Sequence, residues 1–297
     1  MPSTLRDAIP FPSMCRTRGR GAVAALLAAS CLAIMPARAQ SMNVQSMNAR
    51  HTRAGDPGAC HGVVGDALTR IRRAGVLRIG LTGDYRPFSF RTPGGALEGA
   101  DVAMARDFAR TIGVRPVFVM TTWASLSDDF SAGRFDIAVG GVSVDPARAR
   151  LGVFSQSYAR DGKRPVVRCA DAGRFTGIDA INRPDVRVIV NPGGTNERFA
   201  RERLARAAIT VFPDNTRIFD QIIAGKADVM ITDGVEVDLQ SRLHPGVLCP
   251  AEVGAPFTHF EKAWLLPRDA RFAAVANRFI AAEIRNGGWA ARLRQAM

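Results

Sequence analysis

Long apolar runs are missing from this chain: none reaches the ~18 residues that a membrane-spanning helix needs. Histidine is scarce, and His51, His61, His244 and His259 show no metal-ligand spacing, so no metal site is indicated. Internal repeats long enough to name are absent. The formal charge of +13 rests on arginines scattered along helical segments, without the aromatic interleaving of a nucleic-acid surface. That pattern excludes nucleic acid as the expected partner and leaves a solvated basic surface that favours anionic ligands. Cysteine is sparse as well, with five in the chain.

What is present begins with an export signal. Arg16, Arg18 and Arg20 precede an apolar stretch from Gly21 to Met35, and Ala37-Arg38-Ala39 follows as a small-residue cleavage site. Residues 1–39 therefore read as a signal peptide leading to the periplasm, with Met14 as a second candidate start. Their removal takes away five Arg and one Asp, so the charge falls from +13 to +9. Residues 40–65 form a polar, Met/Asn/Ser/Gly-rich leader without periodicity, expected to be disordered. Three cysteines remain, and an oxidising compartment permits one disulfide. Cys169 and Cys249 both fall in the second half and are expected to pair, while Cys60 sits in the leader; three free thiols are the alternative.

With 47% hydrophobic residues the mature chain can bury one large core or two ordinary ones. Helix and strand signals alternate from Asp66: a helix to Ala74, a strand Val76–Leu81, a helix ending at Ile112, strands Val114–Met120 and Phe135–Val139. This order predicts an open parallel sheet, with ligands beyond the carboxyl ends of its strands. Tyr85, Trp123 and Gly141 each follow a strand closely and point to one rim. A second α/β unit has strands Val186–Val190, Ala208–Phe212 and Val229–Thr232. Pro192-Gly193-Gly194 breaks the first of these before a helix at Thr195, a place where free N–H groups attract anions. The expected fold class is α/β: two lobes, each an open sheet flanked by helices, joined by two hinge crossings near 164–169 and 261–266. The lobes are assigned to residues 66–166 with 262–297, and to 167–261.

Several stretches then carry a resemblance. Asp84–Phe90 (DYRPFSF), Gly99–Ala105 (GADVAMA), Arg134–Val144 (RFDIAVGGVSV), Phe154–Tyr158 (FSQSY) and Gly225–Asp233 (GKADVMITD) resemble the periplasmic solute-binding proteins for polar amino acids. That family implies the type II periplasmic binding-protein fold. Asp161–Lys163, Asn191–Glu197, Thr232–Glu236, Gln240–Pro245 and Glu261–Asp269 further resemble the periplasmic cyclohexadienyl dehydratases, which use this fold to turn prephenate into phenylpyruvate and arogenate into phenylalanine.

Residue by residue, the resemblance implies Arg148 as the grip on a substrate carboxylate, for which its planar fork of donors is suited. It implies Ser143, the backbone of Gly141 and Thr195 as contacts beside that grip, Tyr85 and Trp123 as aromatic walls, and Asp233 as the carboxylate that holds an amino group. Lys163, Asn196 and Glu236 match the dehydratase pattern, with Glu236 as general acid. Read alone, Glu236 is only the first-turn acid of a helix, worth a few tenths of a kcal/mol through the helix dipole. A proton donated to a departing hydroxyl is worth ~10²–10⁴-fold, and no cofactor is required. Small-molecule substrates (prephenate, arogenate) are the expected partners, with no membrane contact after signal cleavage and a homo-oligomer left open. The competing reading is an amino-acid-binding protein of an ABC importer, which would share Arg148, Asp233, Tyr85 and Trp123 but has no use for a protonated Glu236.

Overall fold

In the computed structural model, which describes residues 66–297, the chain enters on a capped helix. The Asp66 side chain accepts from the Thr69 backbone N–H, and Gly75 ends the helix Ala67–Ala74 in a left-handed conformation. The signal peptide and leader expected over 1–65 lie outside the described residues.

The strand Val76–Leu81 follows at once, with Leu77, Ile79 and Leu81 fully buried. It pairs in parallel with Arg115–Met120 on one side and Ile137–Ala138 on the other. The helix Ala100–Thr111 makes the crossover and buries Val102, Met104, Ala105, Phe108 and Ala109. Leu265–Leu266 runs antiparallel to these, and Val153–Phe154, antiparallel to Leu265–Leu266, completes a five-stranded sheet. The C-terminal segment thus returns to the first lobe and closes it with helices Ala270–Arg285 and Gly288–Ala296.

The second sheet runs in the order Ala208–Val211, Arg187–Val190, Val229–Asp233, Lys163–Arg168, Leu248–Pro250. Its first three strands are parallel, Lys163–Arg168 runs antiparallel to them, and Leu248–Pro250 pairs antiparallel with Lys163–Arg168. Lys163–Arg168 belongs to this sheet as a whole, whereas the sequence reading drew the boundary of the lobes inside it at 166/167. A single short strand carries no local mark of which sheet it will join. The two crossings come earlier in the chain than expected: Ala159–Asp161 and Phe260–Lys262 pair antiparallel as one ribbon. Buried apolar side chains sort accordingly, one cluster around Leu77, Phe108 and Trp264 and others around Val188, Ile231 and Ile218.

Two features had no legible period. Asp84–Tyr85, Ser89–Arg91 and Leu97–Glu98 form a small three-stranded sheet of two- and three-residue strands. Cys169–Arg174 forms a 3₁₀ turn. That turn places Cys169 against the strand Leu248–Pro250, and Cys169 and Cys249 are disulfide-bonded with Cα atoms 4.7 Å apart. The bond ties the edge strand of the second sheet to its neighbour and closes a loop with a sequence separation of 80. Replacing both cysteines by serine should therefore destabilise the protein by about 2–5 kcal/mol. The drop is read as a lower Tm, and an unchanged Tm would mean that the bridge contributes nothing.

Candidate active site

Parallel strands deliver their carboxyl ends to the same edge, so the two sheets present two rims to one cleft. Tyr85, Trp123, Gly141, Ser143 and Arg148 come from the first lobe; Asn191, Thr195, Asn196, Asp233 and Glu236 come from the second. Lys262, in the crossing ribbon, lies between them. The unfilled space of the cleft, its mouth included, is about 340 Å³. The lobes are closed over it. Arg198 is ion-paired with Asp145 across the cleft, and Asn215 Nδ2 donates to the Asp84 carbonyl at 3.1 Å. Gly193 packs so close to Ala124 that a Cβ there would come within 2.5 Å of its backbone.

Asp233 is the hub. The strand Val229–Asp233 is buried along its length, so its last carboxylate emerges into a dry place. Lys163 Nζ lies 2.5 Å from Oδ1, Lys262 Nζ lies 2.6 Å from Oδ2, and the Tyr85 hydroxyl donates to Oδ2. Burial alone would raise this carboxyl; the two ammonium groups overcome it and hold it far below the ordinary range. Both oxygens are therefore occupied, and an incoming amino group would have to displace a lysine. The place expected for an amino group on Asp233 is taken here by the two lysines. The cause is Lys262, which sequence reasoning passed over although it stands inside the quoted Glu261–Asp269 stretch, a lone ammonium ahead of an apolar strand.

Arg148 is held differently. Asp145 caps the short helix Pro146–Ala149 by accepting from the Ala147 and Arg148 backbone N–H groups, which fixes where the Arg148 side chain starts. The guanidinium is buried, donates once to the Ser143 carbonyl at 3.3 Å, and sits 5.9 Å from the Trp123 ring centroid. It forms no ion pair among the described residues, and burial lowers its pKa. A buried cation without a partner costs several kcal/mol unless an anion joins it. Trp123 is set by its indole N–H, which donates to Asp84 Oδ1 at 3.1 Å, and it meets Tyr85 edge-on at 5.8 Å.

Gly141 lines the cleft but does not offer its backbone to a ligand. Its N–H donates to Asp101 Oδ2 at 2.6 Å and its carbonyl accepts from Lys262 Nζ at 2.8 Å. It is there for room: φ is +76°, and a Cβ would fall 2.6 Å from the Tyr85 and Phe88 rings. Ser143 Oγ likewise accepts from Lys262 Nζ, at 2.9 Å. Thr195 Oγ1 accepts from Lys163 Nζ at 2.9 Å, at the first turn of the helix Thr195–Arg203.

Glu236 stands in the first turn of the helix Gly234–Leu243 and is 4% exposed. The start of this helix is capped from another strand: Asp161 accepts from the Gly234 and Val235 backbone N–H groups. Thr232 donates its hydroxyl to Glu236 Oε2 and accepts from Asn196 Nδ2 at 3.1 Å. Asn196 Oδ1 in turn accepts from Lys163 Nζ, and its amide also donates to Asn191 Oδ1 at 3.1 Å. The Asn196 side chain is thus spent within the protein, linking the lysine to the acid rather than reaching for a ligand. Thr232 and Asn191, not singled out from the sequence, complete this chain. Desolvation pushes the Glu236 carboxyl up to about 8, helped by the nearby Asp233 and Asp84 charges and opposed by Thr232 and Lys163. At neutral pH it is therefore an acid with Oε1 left to carry the proton. With Glu236 neutral, Asp233 is the carboxylate that Lys163 and Lys262 share, and Arg148 adds a third cation to the cleft. Among the described residues no group of His, Cys, Asp and Glu is gathered in a way that could hold a metal ion.

A carboxyl raised by folding makes the native state bind more protons than the unfolded chain between the two pKa values, so stability falls as pH rises from about 4.5 to about 8. Glu236→Gln removes that dependence. Its Tm should match the parent below this window and exceed it at the alkaline end, as thermal unfolding against pH will read; parallel curves would mean that Glu236 titrates normally.

Comparison with known proteins fits this geometry. The family profile of bacterial extracellular solute-binding proteins, family 3, matches residues 77–295. The cyclohexadienyl dehydratase of Pseudomonas aeruginosa is 49% identical over 213 residues, spanning 72% of this chain and 79% of that protein. The L-cystine-binding protein TcyJ of Escherichia coli is 26% identical over 167 residues, 56% of this chain and 62% of its own. Among solved structures, an ancestral amino acid-binding protein described as a precursor of cyclohexadienyl dehydratase superposes with a TM-score of 0.70 at 28% identity, covering 78% of this chain and 99% of that one. From its sequence and its two-lobe, type II periplasmic-binding-protein architecture, the chain belongs to family 3 of the bacterial extracellular solute-binding proteins.

Proposed function

We propose that this chain is a cyclohexadienyl dehydratase, a carbon–oxygen lyase that converts prephenate to phenylpyruvate and arogenate to L-phenylalanine. The observation that carries the reading is Glu236: a buried carboxyl, pushed up to about 8, in a closed cleft that is also lined by Arg148, which forms no ion pair among the described residues. A carrier needs the arginine but has no work for the acid. The 49% identity to a cyclohexadienyl dehydratase points the same way.

The chemistry follows from the charges. Prephenate is a dicarboxylate, and the three cations gathered at the cleft suit it. Arg148 offers its fork of donors to one carboxylate. Lys163 and Lys262, anchored on Asp233, supply the positive field for the other. Glu236 Oε1 donates its proton to the ring hydroxyl as that C–O bond breaks, so water leaves instead of hydroxide. The electron pair of the bond to the ring carboxylate flows into the ring, carbon dioxide departs, and the ring becomes aromatic. Closure of the lobes excludes water and keeps Glu236 in its acid form. Asn196 and Thr232 hold the lysine and the acid in register. Family 3 proteins are extracellular, and residues 1–39 read as a signal that would deliver this one to the periplasm.

Purified protein should turn over prephenate to a product with the absorbance of phenylpyruvate. Glu236→Gln should fold and lose about 10²–10⁴-fold in kcat; a glutamine variant with parental turnover rules out the acid. Because the acid must be protonated, kcat/KM should hold below and fall as pH rises through about 8. Arg148→Ala should raise KM by roughly 10²-fold or more, as expected when a charge-assisted pair is lost. An unchanged KM would take Arg148 out of the substrate site.

A further inference from the structure

The proposed reaction consumes a proton at every turnover. A dicarboxylate becomes a monocarboxylate, carbon dioxide and hydroxide, and the hydroxide leaves as water with the proton of Glu236. Glu236 is then ionised and must be reloaded, in a cleft whose closure is what keeps water away. The question of where that proton enters rests on the reading of Glu236 as the acid.

The other side of Glu236 opens on a second hollow, walled by Thr82, Asp84, Asn215, Glu236, Gln240 and His244 among others. Its unfilled space, mouth included, is about 1330 Å³, against about 340 Å³ for the cleft. Among the described residues only Glu236 and Asn215 line both, so these two form the partition. The partition is polar and incompletely bonded. Among the described residues, Thr82 Oγ1 and Asn215 Oδ1 have no hydrogen-bond partner, in residues 8% and 7% exposed. Buried groups of this kind are normally satisfied, commonly by water. Gln240, one turn beyond Glu236 on the same helix, makes no side-chain hydrogen bond among the described residues and faces the hollow.

Asp84 is the titratable group best placed there. It is half-buried, lines the hollow, and its Oδ1 accepts from Trp123 Nε1. Burial raises its carboxyl, and its charge is one of those that raise Glu236. Arg86, Arg91 and His244 stand around the hollow, while Asp233 and Lys163 act on Glu236 from the cleft side.

We propose that Asp84 is a relay residue that returns a proton from the side hollow to Glu236 while the cleft stays shut. After water has formed, the Asp84 carboxyl gives its proton, through a bridging water, to the Glu236 carboxylate. The Asp84 carboxylate is then reprotonated from solvent in the hollow. No bond to substrate is involved, and Asp84 acts through Glu236 alone.

Asp84→Asn keeps an Oδ1 acceptor for Trp123 and removes the proton. Near pH 7 its kcat should fall about tenfold with KM within about twofold, and added imidazolium buffer should restore kcat as its concentration rises, with no such effect on the parent. The solvent deuterium isotope effect on kcat should grow in the variant. Gln240→Leu, which makes the path apolar without touching the cleft, should show a smaller fall with the same buffer response, and it decides the matter if Asp84→Asn does not fold. Parental kcat in the folded variants, or a loss that buffer does not restore, overturns the relay. If Glu236→Gln abolishes turnover while these variants behave as the parent, the relay alone falls. If Glu236→Gln retains turnover, the acid and the relay fall together.

Discussion

One carboxylate between two ammonium groups holds this molecule in its working shape. Asp233 brings together Lys163 at the start of a second-lobe strand, Lys262 in the crossing ribbon and Tyr85 from the first lobe. Four groups that would each be costly to bury become tolerable because each satisfies the others. The arrangement links both lobes and the hinge at one point. It also settles the electrostatics of everything around it: the lysines lend positive field to the cleft, while the Asp233 charge helps keep Glu236 protonated.

From that hub the division of labour in the cleft follows. Among the described residues Arg148 has no carboxylate partner, since Asp145 is paired with Arg198. Asn196 and Thr232 bond to one another and to the lysine and the acid, so their value is in fixing geometry. Gly141 makes room for two aromatic rings. A solute-binding fold needs only a grip and a lid; the dehydratase reading adds a buried acid placed where the lid keeps it dry.

Much of this was legible before any coordinates. Alternating apolar periods forecast the parallel strands, and their ends forecast the rim that carries Tyr85, Trp123 and Gly141. Cys169 and Cys249 were recognisable as partners because Cys60 lay in a polar leader. Other features were not legible. Lys163–Arg168 looks the same whichever sheet it joins, so the lobe boundary fell inside it. Lys262 looks like a solvated charge until the strand pairing of Phe260–Lys262 with Ala159–Asp161 turns it inward. The Gly141 backbone was expected to meet the ligand, yet Asp101, 40 residues earlier, had already taken its N–H.

The sequence by itself determined the α/β order, the two rims and the inventory of charged groups, because periodicity, turn chemistry and residue type are local properties. Tertiary structure decided which cation met which carboxylate and which acid kept its proton. Those outcomes depend on desolvation and on distances between groups 148, 70 and 29 positions apart, as Tyr85, Lys163 and Lys262 are from Asp233. Burial and pairing shift a carboxyl in opposite directions. Neighbours such as Asp233 and Glu236, three residues apart, can therefore end with opposite protonation only once the whole cleft is assembled.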